Sequence, residues 1–126
     1  MTVSRTVLID SSGWVEAAGQ GPRAARFEKL IAENEPVILP TVVLYEVYKK
    51  LVRTAGQEIA LRFVSHALRQ EIVPLDEHLA IAAADLSLEH NLPMADAMIY
   101  ATAVSREAEL FTCDAHFQRL PFATVL

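Results

Sequence analysis

The chain has a single cysteine, Cys113, in 126 residues. No internal disulfide can form, and a reducing compartment, the cytoplasm, is the expected location. No apolar run approaches the ~18 residues that a membrane-spanning helix needs, so no membrane role is expected. Glycine and proline are scarce, at four and six, which excludes collagen-like and linker-like compositions. Basic residues are outnumbered 11 to 16, for a formal charge of −5. That balance argues against a protein that coats polyanions with a broadly basic surface. It permits a local site that holds cations and, through them, phosphates. Ahead of the first β-like run only Arg5 is basic, and the N-terminus reads as too short and too weakly charged for a secretory signal. What is present is 52% apolar and 21% charged residues, the composition of one ordered domain, 1–126, with a sizeable core.

Thr6-Val7-Leu8-Ile9 is a β-branched, apolar run that reads as a strand buried on both faces and ending at Asp10. Ser11, Ser12 and Gly13 turn the chain into a short helix through Ala17. Pro22 opens a second helix to about residue 33, and "PVILP" (36–40) reads as a second strand. Thr41 is the expected N-cap of a helix over 42–54, with Gly56 as its stop. A helix over 57–70 follows, then a short strand in "EIVPLD" and a helix from its cap Asp76 to Asn91. Another helix runs from Pro93 to near Arg106; "ELFTCD" is a strand and "ATVL" an edge strand. Short strands alternating with helices predict an α/β fold, a three-layer α/β/α sandwich around a mainly parallel sheet.

The helix beginning "LPMADAMIYATA" (92–103) is built of apolar and small residues, yet it carries Asp96 in its first turn. Three further acids stand in comparable places. Asp10 and Asp114 end strands a hundred residues apart, where the crevice beyond the carboxyl ends of a parallel sheet binds ligands. Glu46, within "VVLYEVY", lies early in the helix after the second strand. Each has a plainer reading: Asp10 as a helix cap, Asp96 as a residue favoured at a helix N-terminus, Glu46 as a solvated helix residue, Asp114 as a turn residue. Together those readings weaken, because lone carboxylates among apolar neighbours are costly. Gathered ones repel, by about 4 kcal/mol per pair at ~4 Å and an effective dielectric near 20. A hard divalent ion, Mg²⁺ or Mn²⁺, removes that penalty, and an acidic, metal-loaded pocket suits phosphodiester hydrolysis. Ser12 and Thr112 are placed to hydrogen-bond the carboxylates that would ligate the ion.

Lys49, Lys50 and Arg53 follow Glu46 at helical spacing, forming either a phosphate-contacting strip or a solvated face. His66, His78, His90 and His116 show no ligand spacing and are not expected to bind metal. Cys113 reads as a small filler rather than a nucleophile. Trp14 and Tyr45 read as core or interface residues more readily than as base-stacking platforms. Asp85 is expected at the surface. An aspartyl-phosphate phosphatase would need a second Asp two residues beyond the strand-end one, where this chain has Ser12. A non-catalytic module binding a protein through its acidic pocket is the remaining alternative.

"VLIDSSGWVE", "LPTVVLYEVYKKL", "LPMADAMIYATA" and "LFTCDAHFQRLP" resemble, in order and over nearly the whole chain, the successive motifs of the PIN-domain family. Within that family the chain is similar to the toxin ribonucleases of VapBC-type toxin–antitoxin pairs. The resemblance implies a PIN-like sandwich and a metal-dependent endoribonuclease using Mg²⁺ or Mn²⁺. Asp10, Glu46, Asp96 and Asp114 would be its site acids, with Ser12 and Thr112 the accompanying hydroxyls. It further implies an RNA substrate and a VapB-like antitoxin whose C-terminal segment reaches the site. An Arg or Lys of that segment is expected against the clustered carboxylates. Apolar residues of that segment would lie between the helices at 22–33 and 42–54. Two toxin copies are expected to pair, because so short and apolar a chain exposes helix surface that a homodimer covers. The sequence departs from some relatives just before the phenylalanine of the last motif, where they carry an acid and this chain has His116.

Overall fold

A computed structural model describes residues 5–126; the residues read for a secretory signal ahead of Arg5 lie outside the described ones. Val7, Leu8 and Ile9 form β1 (Val7–Ile9) and are each 1% exposed or less, as befits a central strand covered on both faces. β1 pairs on one side with β2 (Ile38–Pro40) and on the other with β4 (Glu109–Thr112). β3 (Glu71–Val73) lies outside β2, and β5 (Ala123–Val125) outside β4. The order is β3-β2-β1-β4-β5 and every pair is parallel. The chain therefore steps outward from β1 through β2 and β3, then returns to lay β4 on the opposite flank. That reversal puts a switch point, the ligand-binding crevice of open parallel sheets, at the carboxyl ends of β1 and β4.

Two helices fill each of the first three crossovers. These are α1 (Ser11–Ala18) and α2 (Ala24–Asn34), α3 (Thr41–Ala55) and α4 (Gln57–Ala67), then α5 (Glu77–His90) and α6 (Met94–Ser105). A 3-10 turn (Ala115–Phe117) links β4 to β5. The sheet and its six helices form the three-layer α/β/α sandwich that the alternation predicts, with Trp14, Phe27, Leu39, Leu51, Ile99 and Phe117 fully buried. The apolar character of α6 has a direct cause: it packs against α5, α3 and β4, which leaves Ala97 and every residue from Ile99 to Ala103 buried. Thr102 meets its hydroxyl's need inside the helix, donating to Met98 O at 2.8 Å.

Some boundaries differ from the sequence reading. Thr41 does not cap α3 but is its first residue; Pro40 is the N-cap and no side chain bonds there. β2 thus runs into α3 with no linker. The helix expected over 57–70 ends at Ala67, and Gln70 explains why. Its Oε1 accepts the Val37 N–H at 2.9 Å and its Nε2 donates to Glu35 Oε1 at 3.0 Å, tying the end of the α4–β3 connection to the segment that enters β2. Gly56 does end α3, at φ +95°, and Asp76 does cap α5, accepting from Leu79 N at 2.8 Å. The 3-10 turn has no counterpart in the sequence reading.

Candidate active site

Asp10 follows β1 directly, and its N–H extends the β1–β4 ladder by donating to Phe111 O at 3.2 Å. The same residue is the N-cap of α1: Oδ1 accepts the Gly13 N–H at 3.0 Å and the Ser12 hydroxyl at 2.7 Å. Oδ2 accepts the Thr112 hydroxyl at 2.6 Å. The cap reading and the site reading are therefore compatible, because one carboxylate begins a helix and also lines the cleft. Asp10 is 3% exposed. Burial pushes its carboxyl up to about 6, against three hydrogen bonds that lower it and with the Asp114 charge raising it slightly further.

Ser12 and Thr112 have a second role. Ser12 Oγ accepts the Cys113 N–H and Thr112 Oγ1 accepts the Asp114 N–H, both at 2.8 Å. Each hydroxyl thus donates to Asp10 and accepts from the segment leaving β4, so the ends of β1 and β4 are locked in register. Glu46 lies on the second turn of α3, and its Oε1 accepts the Ser11 hydroxyl at 2.5 Å. Ser11 was not singled out from the sequence; a serine after a strand-end aspartate reads as a turn residue, and only the packing of α1 on α3 gives its hydroxyl this partner.

Asp96 is the third residue of α6 and its side chain is 15% exposed; that of Asp114 is 32% exposed. Burial raises the Asp96 carboxyl, as do the charges of Asp114 and Glu46, while His116 opposes them. His116, not expected among metal ligands, does approach the acids. Its Nδ1 stands 2.8 Å from Asp96 Oδ2 and 3.1 Å from Asp114 Oδ1. Those contacts, the Asp96 hydrogen bond foremost, raise the imidazole's pKa. The 3-10 turn is responsible, since it folds the chain back so that residues 20 apart in sequence meet.

All four acids line one cleft of about 480 Å³ at the switch point. Its α3 wall carries Tyr45, Lys49, Lys50 and Arg53. Tyr45 is 63% exposed, so of the core and interface positions expected for it the core is excluded, and Lys49 Nζ lies 5.4 Å from its ring centroid. Trp14, by contrast, is a core residue at 1% exposure, edge-on to Phe63. Cys113 also lines the cleft, but burial pushes its thiol up, away from the thiolate a nucleophile needs. Asp85 is exposed, as expected.

The PIN domain family model matches residues 7–123. Among curated proteins none matches the sequence. Solved structures do. A toxin–antitoxin complex from Klebsiella pneumoniae superposes with a TM-score of 0.80 at 21% identity, over 95% of this chain and 97% of the other. VapC20 of Mycobacterium tuberculosis, described as a sarcin-ricin loop cleaving toxin, gives 0.81 at 20% identity, covering 93% and 96%. DNA-bound VapBC from Salmonella typhimurium gives 0.75 at 19%, covering 97% of each chain. At such identities the likeness is one of fold.

Proposed function

The chain belongs to the PIN-domain family, and on that premise we propose that it is a metal-dependent endoribonuclease, the toxin of a VapBC-like pair. The observation that carries this reading is the convergence of Asp10, Glu46, Asp96 and Asp114, from four separate segments, on one cleft with a cationic wall. The donor set fits a hard divalent ion. Asp96, Asp114 and His116 each offer a ligand atom within 4.8 Å of the others, and oxygen-rich sites of this kind suit Mg²⁺ or Mn²⁺. Such an ion supplies the charge that offsets the carboxylates and the Lewis acidity that phosphodiester hydrolysis uses.

The protein's own groups do the positioning. Ser12 and Thr112 hold Asp10, and Ser11 holds Glu46, so the carboxylates keep their spacing without the ion. Lys49, Lys50 and Arg53 attract the RNA phosphates, and the exposed Tyr45 ring offers a face on which a base stacks. In the net reaction, water adds to phosphorus, a P–O ester bond breaks, and the leaving oxygen takes up a proton.

The partner is an antitoxin segment. The segment's apolar residues are placed along the helices α2 and α3, both of which pack against α1. A groove between α1, α2 and α4, with Trp14, Ile31 and Phe63 at its base and Glu28, Glu35, His66 and Arg69 beside them, is a further place for that segment. An Arg or Lys of the segment pairs with the acids. A second toxin copy covers α5, where Ile81 and Leu88 are 65% and 86% exposed.

Cleavage of RNA by the purified chain, free of its partner, tests the reading. Cleavage is expected with Mg²⁺ or Mn²⁺, to stop in excess EDTA, and to fall by at least about a hundredfold in Asp96→Asn, the loss of one strong electrostatic interaction with the reacting centre. Undiminished cleavage in EDTA would sink the proposal.

A further inference from the structure

His116 is fixed against the acids from both sides of its own backbone. Asp114 accepts the His116 N–H at 2.9 Å, and the next residue, Phe117, is fully buried. The backbone at His116 is thereby fixed beside the acids, with 58% of the imidazole's side-chain surface open. Its Nδ1 is 2.8 Å from Asp96 Oδ2 and 3.1 Å from Asp114 Oδ1. Two donors at right angles on an octahedral ion with bonds of about 2.1 Å stand about 3 Å apart. Both separations are compatible with that edge, and since the Asp96, Asp114 and His116 ligand atoms all lie within 4.8 Å of one another, one ion can gather the two carboxylates and the ring nitrogen.

Building on the metal-site reading above, we propose that His116 Nδ1 is a ligand to the divalent ion, and that it biases the site toward a first-row transition ion over Mg²⁺. Mg²⁺ is strongly hydrated and takes oxygen donors almost exclusively, whereas transition ions accept imidazole readily. Mn²⁺ is the transition ion closest to Mg²⁺ in its affinity for carboxylate oxygen, so it is the informative probe. The competing account makes His116 only a counter-charge to the acids, and it has the opposite consequence. A cation that merely neutralises carboxylates competes with metal, so its removal strengthens metal binding.

The test measures binding rather than turnover. Mn²⁺ is titrated into the metal-free protein and its free signal followed by electron paramagnetic resonance; Mg²⁺ is measured by calorimetry. His116→Ala is expected to weaken Mn²⁺ by about tenfold or more, the loss that even outer partners of a ligand cause, and Mg²⁺ far less. His116→Asp, which exchanges nitrogen for oxygen, is expected to bring the two affinities together. Pulsed measurements on the Mn²⁺-loaded protein should show a nitrogen-14 coupling that both variants lack. Unchanged or tighter Mn²⁺ binding by His116→Ala, or no nitrogen coupling in the parent, overturns the ligand role while leaving the carboxylate site standing. Failure of the parent to bind Mn²⁺ at all overturns both.

Discussion

Asp10 carries two demands at once, since it must cap α1 and stay charged in a nearly closed environment. Its carboxyl is raised to about 6, which means that the folded metal-free protein bears a penalty for ionising it that the unfolded chain does not. Asp10→Asn removes the charge while its amide oxygen still accepts from Gly13 and Ser12. In EDTA at pH 7 this variant should be at least as stable as the parent, with a gain of up to about 3 kcal/mol, read from urea unfolding. A markedly lower midpoint would mean that the hydrogen bonds to the charged form outweigh burial. The acids themselves were legible in the sequence because a carboxylate at a strand end, or inside an apolar helix, has few reasons to be there. The groups that hold them were not. Ser11 and His116 are ordinary residues until tertiary packing brings Glu46 and Asp96 to them, and Gln70 gives no sign in the sequence of the Val37 N–H it satisfies.

Among the elements, α1 depends most on one residue. A Cβ on Gly13 would lie 2.6 Å from both Ile9 Cγ2 and Phe27 Cε1, so α1 approaches β1 and α2 more closely than any larger residue allows. Gly13→Ala should lose about 1–3 kcal/mol through overpacking, measurable by thermal or urea denaturation. A neutral effect would show that Phe27, though fully buried, has room to yield. α3 carries the second element-level prediction. Replacing Lys49, Lys50 and Arg53 with Gln should weaken RNA binding while metal affinity holds. The salt slope of binding should fall as well, by up to about 0.7 for each phosphate of single-stranded RNA that is no longer neutralised. An unchanged slope would reduce the strip to a solvated face. Element order and type were legible throughout, since each strand is a short apolar run and each helix has its own period or stop. What escaped was junctions. The direct passage from β2 into α3 and the single 3-10 turn after β4 follow from how the sheet's end must be closed, which no local pattern announces.

At the scale of the molecule, the exposed pair Ile81 and Leu88 lies on one face of α5, seven residues apart. Changing both to Lys should convert a dimer to a monomer in sedimentation without altering the circular dichroism of the fold; a parent that sediments as a monomer would remove the second copy from the account. The strand order has a further consequence, and it concerns synthesis. Asp10 emerges from the ribosome early, but the partners that fix it, Thr112 and the Asp114 segment, come a hundred residues later. Until β4 has been made and has inserted beside β1, the nascent chain has only part of its acidic constellation and lacks the hydroxyl that orients the first of them. Domains of this size fold as units, so a growing polypeptide built on this topology acquires its cleft only after β4 has been made and has joined the sheet.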